Sequence, residues 1–138
     1  SKVQTQSTTN PCSISQKAAL FALESEKNFL QDWIKQFDER KKFLIDFFSS
    51  QKQFVPFEPD GAFYLYISCR GFIGKKFGEK LIRNDIDFSD FLLEEARVAV
   101  VPGVAFGMSP YFRISYATSM ENLLRATKQI QRAVKLIR

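Results

Sequence analysis

The run Tyr111-Phe112-Arg113-Ile114-Ser115-Tyr116-Ala117 constrains the fold more than any other stretch of the chain. Aromatic and β-branched residues dominate it, so it reads as a strand, with Phe112, Ile114 and Tyr116 on one face. Tyr111, Arg113, Ser115 and Ala117 then share the opposite face. A guanidinium cannot shed its proton to escape burial, so an arginine in such a strand must meet an anion or reach water. Its planar fork matches a carboxylate bidentately, which a lysine does not do. Two readings stay open at this point. Arg113 pairs with one of the chain's 15 acidic residues or bends out to solvent, or else it receives the carboxylate of a ligand.

The 138 residues are enough for a compact domain with a real core, and 45% of them are hydrophobic, 15 being phenylalanine. The net charge of +5 is spread among acids, which permits nucleic-acid binding without arguing for it. Histidine is absent, which removes the commonest general base, any Ser-His or Cys-His nucleophile pair and every histidine metal site. Cys12 and Cys69 match no metal or redox spacing; buried free thiols in a reducing compartment are expected, with one disulfide between them as the alternative. No apolar run approaches the ~20 residues of a membrane span, and no signal-peptide pattern opens the chain. The expected setting is the cytoplasm, with no membrane or nucleic-acid partner and no metal.

Ser1 to Asn10 is polar and hydroxyl-rich and reads as a loop or frayed end. A helix is predicted from Ser13 to about Leu23, and Ser25 is placed to cap a longer one from Glu26 to about Ser50. In that long helix Phe29, Leu30, Trp33, Ile34, Phe37, Leu44, Phe47 and Phe48 fall on one face and predict core. Phe54 to Phe57 is a candidate edge strand limited by Pro56, and Phe63 to Ile67 a strong strand. Cys69 to Gly74 reads as loop. Helices are predicted for Lys75 to Arg83 and for about Phe88 to Ala96, the latter starting near Asp87 or Ser89. Val98 to Val101 predicts a buried strand, Val104 to Pro110 a flexible loop. Thr118 with Glu121 has capping-box spacing for a last helix from Ser119 to about Ile137, burying Leu123, Ile130, Val134 and Ile137. The order of elements predicts an α+β fold: a small mixed or antiparallel sheet covered by helices.

Few motifs suggest chemistry. Arg70 to Phe77 has the glycine and aromatics of an RNA-recognition strand, but two glycines and Lys75-Lys76 interrupt it. Gly71 to Gly78 lacks the Gly-Lys-Ser/Thr of a phosphate loop. Lys75, Lys76 and Lys80 read as a solvated face, Glu94-Glu95 beside Arg97 as surface charge. Ser7-Thr8-Thr9 has no base to activate it. The chain offers a carboxylate clamp and no reactive centre.

Several segments, in order, resemble the C-terminal part of a pyridoxal-phosphate-dependent aspartate aminotransferase of the class I/II aminotransferase family. They are Gln4 to Ile14 (QTQSTTNPCSI), Pro59 to Tyr64 (PDGAFY), Leu92 to Gly103 (LLEEARVAVVPG), Phe106-Gly107 and Phe112 to Ala117 (FRISYA). The resemblance implies a small C-terminal domain at residues 25–138, beginning with a long helix. Residues 1–24 are then the end of a large domain with an interface loop and helix. It implies that Arg113 binds the substrate's α-carboxylate and that Thr8 to Asn10 lie near a subunit interface. It also implies amino-acid and 2-oxo-acid substrates, pyridoxal 5′-phosphate as cofactor, and a homodimer formed through the large domain. The family's Schiff-base lysine belongs to an upstream Ser-x-x-Lys-like motif that Ser1-Lys2 does not match. On this reading the chain is a fragment, inactive alone, with no catalytic or cofactor-binding residue of its own. Two alternatives stand beside it: an aromatic or prephenate aminotransferase, and a basic RNA- or protein-binding module.

Overall fold

The computed structural model describes residues 10–138. Two compact units divide at Trp33 and Ile34. In the first, helix α1 (Ser13–Glu24) buries none of its residues. Ser25 ends that helix, its Oγ and its backbone N–H both donating to the Phe21 carbonyl. It does not cap the next helix, as the sequence suggested, because its hydroxyl is already engaged behind it. Helix α2 (Asn28–Ser49) starts three residues later. Its expected apolar stripe is buried only towards the C-terminal end, where Leu44 and Phe48 have no exposure and Phe37 and Phe47 are partly covered. Phe29, Trp33 and Ile34 remain more than half exposed. Helical spacing says which residues share a face, and other elements decide how much of that face is covered.

The second unit is built on a four-stranded antiparallel sheet in the order β1-β2-β6-β5. β1 (Val55–Phe57) forms an edge, with Pro56 in it as expected. β2 (Tyr64–Ser68) and β6 (Tyr111–Ser115) form the centre, with Tyr66 opposite Arg113. β5 (Val101–Pro102) closes the other edge, Val101 also facing Arg113. The strand expected over Val98 to Val101 is only Val101–Pro102 and is not buried, since it lies at the sheet edge with Val101 exposed; Val98 is buried but makes no ladder pairing.

The predicted helix from Lys75 to Arg83 is absent. Lys76–Phe77 (β3) and Lys80–Leu81 (β4) instead form a hairpin turning at Gly78, whose φ is +55°. Lys76 exchanges both backbone hydrogen bonds with Arg138, and Ile82 bonds across to Gly74 and Lys75, so distant chain takes the groups a helix would pair internally. Helix α3 (Asp85–Ala96) begins earlier than expected, with Asn84 as its cap accepting from the Asp87 N–H. Asp87 is drawn to Arg83, and that guanidinium holds its carboxyl below the usual range. Helix α4 (Met120–Ala133) is capped by Ser119 rather than Thr118, and it buries Leu123 and Ile130.

One face of the sheet carries Leu65, Ile67, Phe112 and Ile114, all buried among the helices. Phenylalanine fills this core: Phe54 lies 4.8 Å from Phe72, Phe72 stacks on Phe88 at 4.9 Å, and Phe88 meets Phe112 at 5.5 Å. Such ring pairs add about 0.5–1.5 kcal/mol each beyond the area they bury. Tyr116, continuing the buried side of β6, donates its hydroxyl to the Ala62 carbonyl at 2.9 Å and its N–H to Phe63. Burial and the nearby Asp38 charge raise its pKa. These bonds fix the turn before β2, where Ala62 has φ +62°.

Candidate functional site

The other face of the sheet presents Tyr64, Tyr66, Tyr111, Arg113 and Ser115. Arg113 is half-buried there. Its guanidinium carbon sits 4.2 Å from the centre of the Tyr64 ring and 4.1 Å from that of Phe106. Tyr66 meets the Phe106 ring edge-on at 6.0 Å. Among the described residues, no carboxylate lies within salt-bridge distance of Arg113, and its side chain makes no hydrogen bond. Aromatic faces attract the cation but accept none of its in-plane N–H donors, so the fork remains available. Rings that displace water also raise the strength of any ion pair formed beside them.

Phe106 reaches the guanidinium from a loop that sequence read as flexible. It is a tight 3-10 turn (Gly103–Phe106) ending at Gly107, in the left-handed region at φ +71°. Gly107 N–H donates to Val104 and Met108 N–H to Gly103, closing the loop on itself. One buried side chain ties it down. Asp85, 1% exposed in the first turn of α3, accepts from the Val104 N–H at 2.7 Å and from the Ser109 hydroxyl at 2.6 Å. Beside it, Pro110 accepts from the Cys69 N–H at 3.1 Å and, at 3.4 Å, from its thiol. Burial, with the Asp85 charge second, pushes that thiol's pKa up to about 12.

Sequence reasoning singled out Arg113 as a candidate but not its surroundings. Tyr64 was legible as a strand residue two places from Tyr66, hence on the same face. Phe106 was not, since nothing local says where a loop tip lands. Asp85 had a signal: with Phe88, Ser89 and Leu92 it falls at helical spacing on what proves to be the buried face.

The remaining candidates are not drawn to this face. Phe72, the first aromatic of the RNA-recognition-like stretch, is wholly buried against Phe88 and cannot stack on a base, and Phe77, the second, packs on Phe91. Glu94 pairs with Lys80 at 3.2 Å on the surface. Cys69 is a buried free thiol, but Cys12 is exposed, hydrogen-bonded to Ser15, contrary to expectation. Ser7, Thr8, Thr9 and Lys2 lie outside the described residues. No described helix is long and apolar enough to cross a membrane.

The sequence profile of aminotransferase class I and II matches residues 1–130. The chain belongs to that family. It is 46% identical over 132 residues to a protein named probable aspartate/prephenate aminotransferase from Rickettsia felis, across 95% of this chain and 32% of that protein. Its fold matches the crystal structure of the aspartate aminotransferase from Rhizobium meliloti with a TM-score of 0.91 and 42% identity, over 99% of this chain and 34% of that one. It also matches an aromatic aminotransferase from Pyrococcus horikoshii with a TM-score of 0.79 and 35% identity, over 97% of this chain and 34% of the other. The chain thus spans about a third of the length of the curated relatives it matches. The α+β architecture expected from the order of elements is the one this class I/II chain shares with those structures.

Proposed function

We propose that the whole protein is a pyridoxal-phosphate-dependent aminotransferase, a cytoplasmic homodimer that moves an amino group between aspartate, or a similar amino acid, and a 2-oxo acid. Arg113 is its binding group for the substrate α-carboxylate, and residues 25–138 are its small domain. The observation that carries this reading is the half-buried guanidinium, flanked by Tyr64 and Phe106, with no carboxylate among the described residues to neutralise it.

The described residues fit the substrate side of such chemistry. The Arg113 fork offers two parallel donors, which fix a carboxylate in plane and so orient the rest of the amino acid. Tyr64 and Phe106 hold the fork from its faces, so less side-chain freedom is lost when substrate arrives. Among the described residues that face carries no lysine and so no covalent anchor for the cofactor. Pyridoxal 5′-phosphate, held by residues other than those on this face, would carry the amino group and supply an electron sink for the pair left on the substrate α-carbon.

Arg113→Lys in the whole protein tests the clamp. Losing a charged bidentate contact is expected to lower kcat/KM for aspartate by a factor corresponding to about 2–4 kcal/mol. An unchanged kcat/KM would remove Arg113 from the site. The name of the Rickettsia felis relative favours a second reading, in which prephenate also serves as amino acceptor. Amino transfer from aspartate to prephenate, followed by chromatography, separates the two.

A further inference from the structure

Asp85 is buried beneath the loop that brings Phe106 to Arg113, and neither solvent nor a ligand on the sheet face can reach it. Its two oxygens grip the two ends of that loop, Val104 N–H at 2.7 Å and Ser109 Oγ at 2.6 Å. No lysine or arginine pairs with it among the described residues. Its carboxyl therefore spends its hydrogen-bonding capacity on the loop. It does so from the first turn of a helix, where a negative charge is favourably placed. The residues between those anchors are mostly exposed, Phe106 itself 45% so, and little packing would hold the ring in place without them.

We propose that Asp85 is the positioning residue of the Arg113 clamp. By fixing both ends of residues 104–109 it sets the Phe106 ring against the guanidinium, and through that ring it tunes affinity for a carboxylate ligand. The inference rests on the reading of Arg113 as the carboxylate binder. With the anchor cut, the ring leaves one face of the guanidinium. Arg113 then swings towards water, and the ligand must order it again on binding.

The test uses the whole protein and succinate, which is aspartate without its amine and cannot react. Succinate affinity is measured by calorimetry at a temperature well below every variant's Tm. Asp85→Ala is expected to raise the succinate Kd about tenfold, the effect of losing two buried hydrogen bonds. Asp85→Asn should restore binding to within about threefold, because its amide oxygen can still accept from Val104 while its NH2 donates to the Ser109 oxygen. Ser109→Ala, which leaves the buried side chain in place, should fall between them and carries the test if Asp85→Ala does not fold. Hydrogen exchange at the Val104 amide should speed up in step with the loss of affinity. A lower Tm with wild-type succinate Kd in Asp85→Ala or Ser109→Ala would make Asp85 merely structural and overturn the proposal. A Kd for Asp85→Asn as weak as that for Asp85→Ala would overturn the hydrogen-bond account. Arg113→Lys is the control: if it binds succinate normally, the clamp reading falls and this one with it. If only Arg113→Lys loses affinity, the clamp stands and the role of Asp85 does not.

Discussion

Among the described residues Arg113 is held by aromatic faces and by no counter-charge, and that places unusual demands on the backbone around it. The loop carrying Phe106 must fold back within a few residues, and Gly103 makes this possible. A Cβ there would fall against the Met108 carbonyl oxygen and 2.7 Å from that of Tyr111. Both are backbone atoms fixed by the loop's closure and by the start of β6, so neither can move aside cheaply. Gly103→Ala is therefore expected to destabilise the fold by about 1–3 kcal/mol, the usual cost of overpacking a tight site. Urea denaturation of the variant checks this, and a loss below 0.5 kcal/mol (roughly the noise of a surface change) would mean the loop has slack.

Among the elements, α3 is the best example of a helix defined by its ends. Asn84 caps its start and Asp85 and Asp87 occupy its first turn, where the helix dipole favours acids. At its far end Arg97 takes the left-handed conformation, φ +54°, and its backbone N–H and that of Val98 turn back to the Leu92 carbonyl. That position favours glycine, since an L side chain pays about 1–2 kcal/mol there. Arg97 is exposed and forms no ion pair among the described residues. Arg97→Gly should accordingly stabilise the protein by about 0.5–1 kcal/mol once glycine's extra unfolded-state entropy is subtracted. A thermal melt showing no gain would imply a contact for this side chain elsewhere in the whole protein.

At the scale of the molecule, the core is closed around Phe54, Phe72, Phe88 and Phe112, with the Cys69 thiol inside it. A thiol whose pKa is raised to about 12 keeps its proton in the folded state above pH 9, where the unfolded chain gives it up. The unfolded state then binds fewer protons, so stability is fully present below about pH 9 and falls as pH rises towards 12. Tyr116, also raised by burial, adds to the same decline at its upper end. Denaturation at pH 8 and pH 11 should show a steeper loss in the wild type than in Cys69→Ala. Parallel losses in the two would remove Cys69 as the cause.

Local pattern revealed much of this architecture. Alternation in Tyr111 to Ala117 named the buried face of β6 and put Arg113 on the other, because a strand's period of two needs no partner to be read. The periodic residues of α4 and the edge position of β1 were legible for the same kind of reason. Only the tertiary structure decided that residues 76–81 form a hairpin, because the partner of Lys76 is Arg138, sixty-two positions on. Only it decided that Phe29 and Trp33 stay exposed while Phe48 does not, since coverage depends on what another segment does. The bracket of Tyr64 and Phe106 on Arg113, and the buried carboxyl that anchors it, join three stretches distant in sequence: β2, the start of α3, and the loop that leads into β6. Contacts of that kind leave no periodicity behind them; they exist only once the chain has closed.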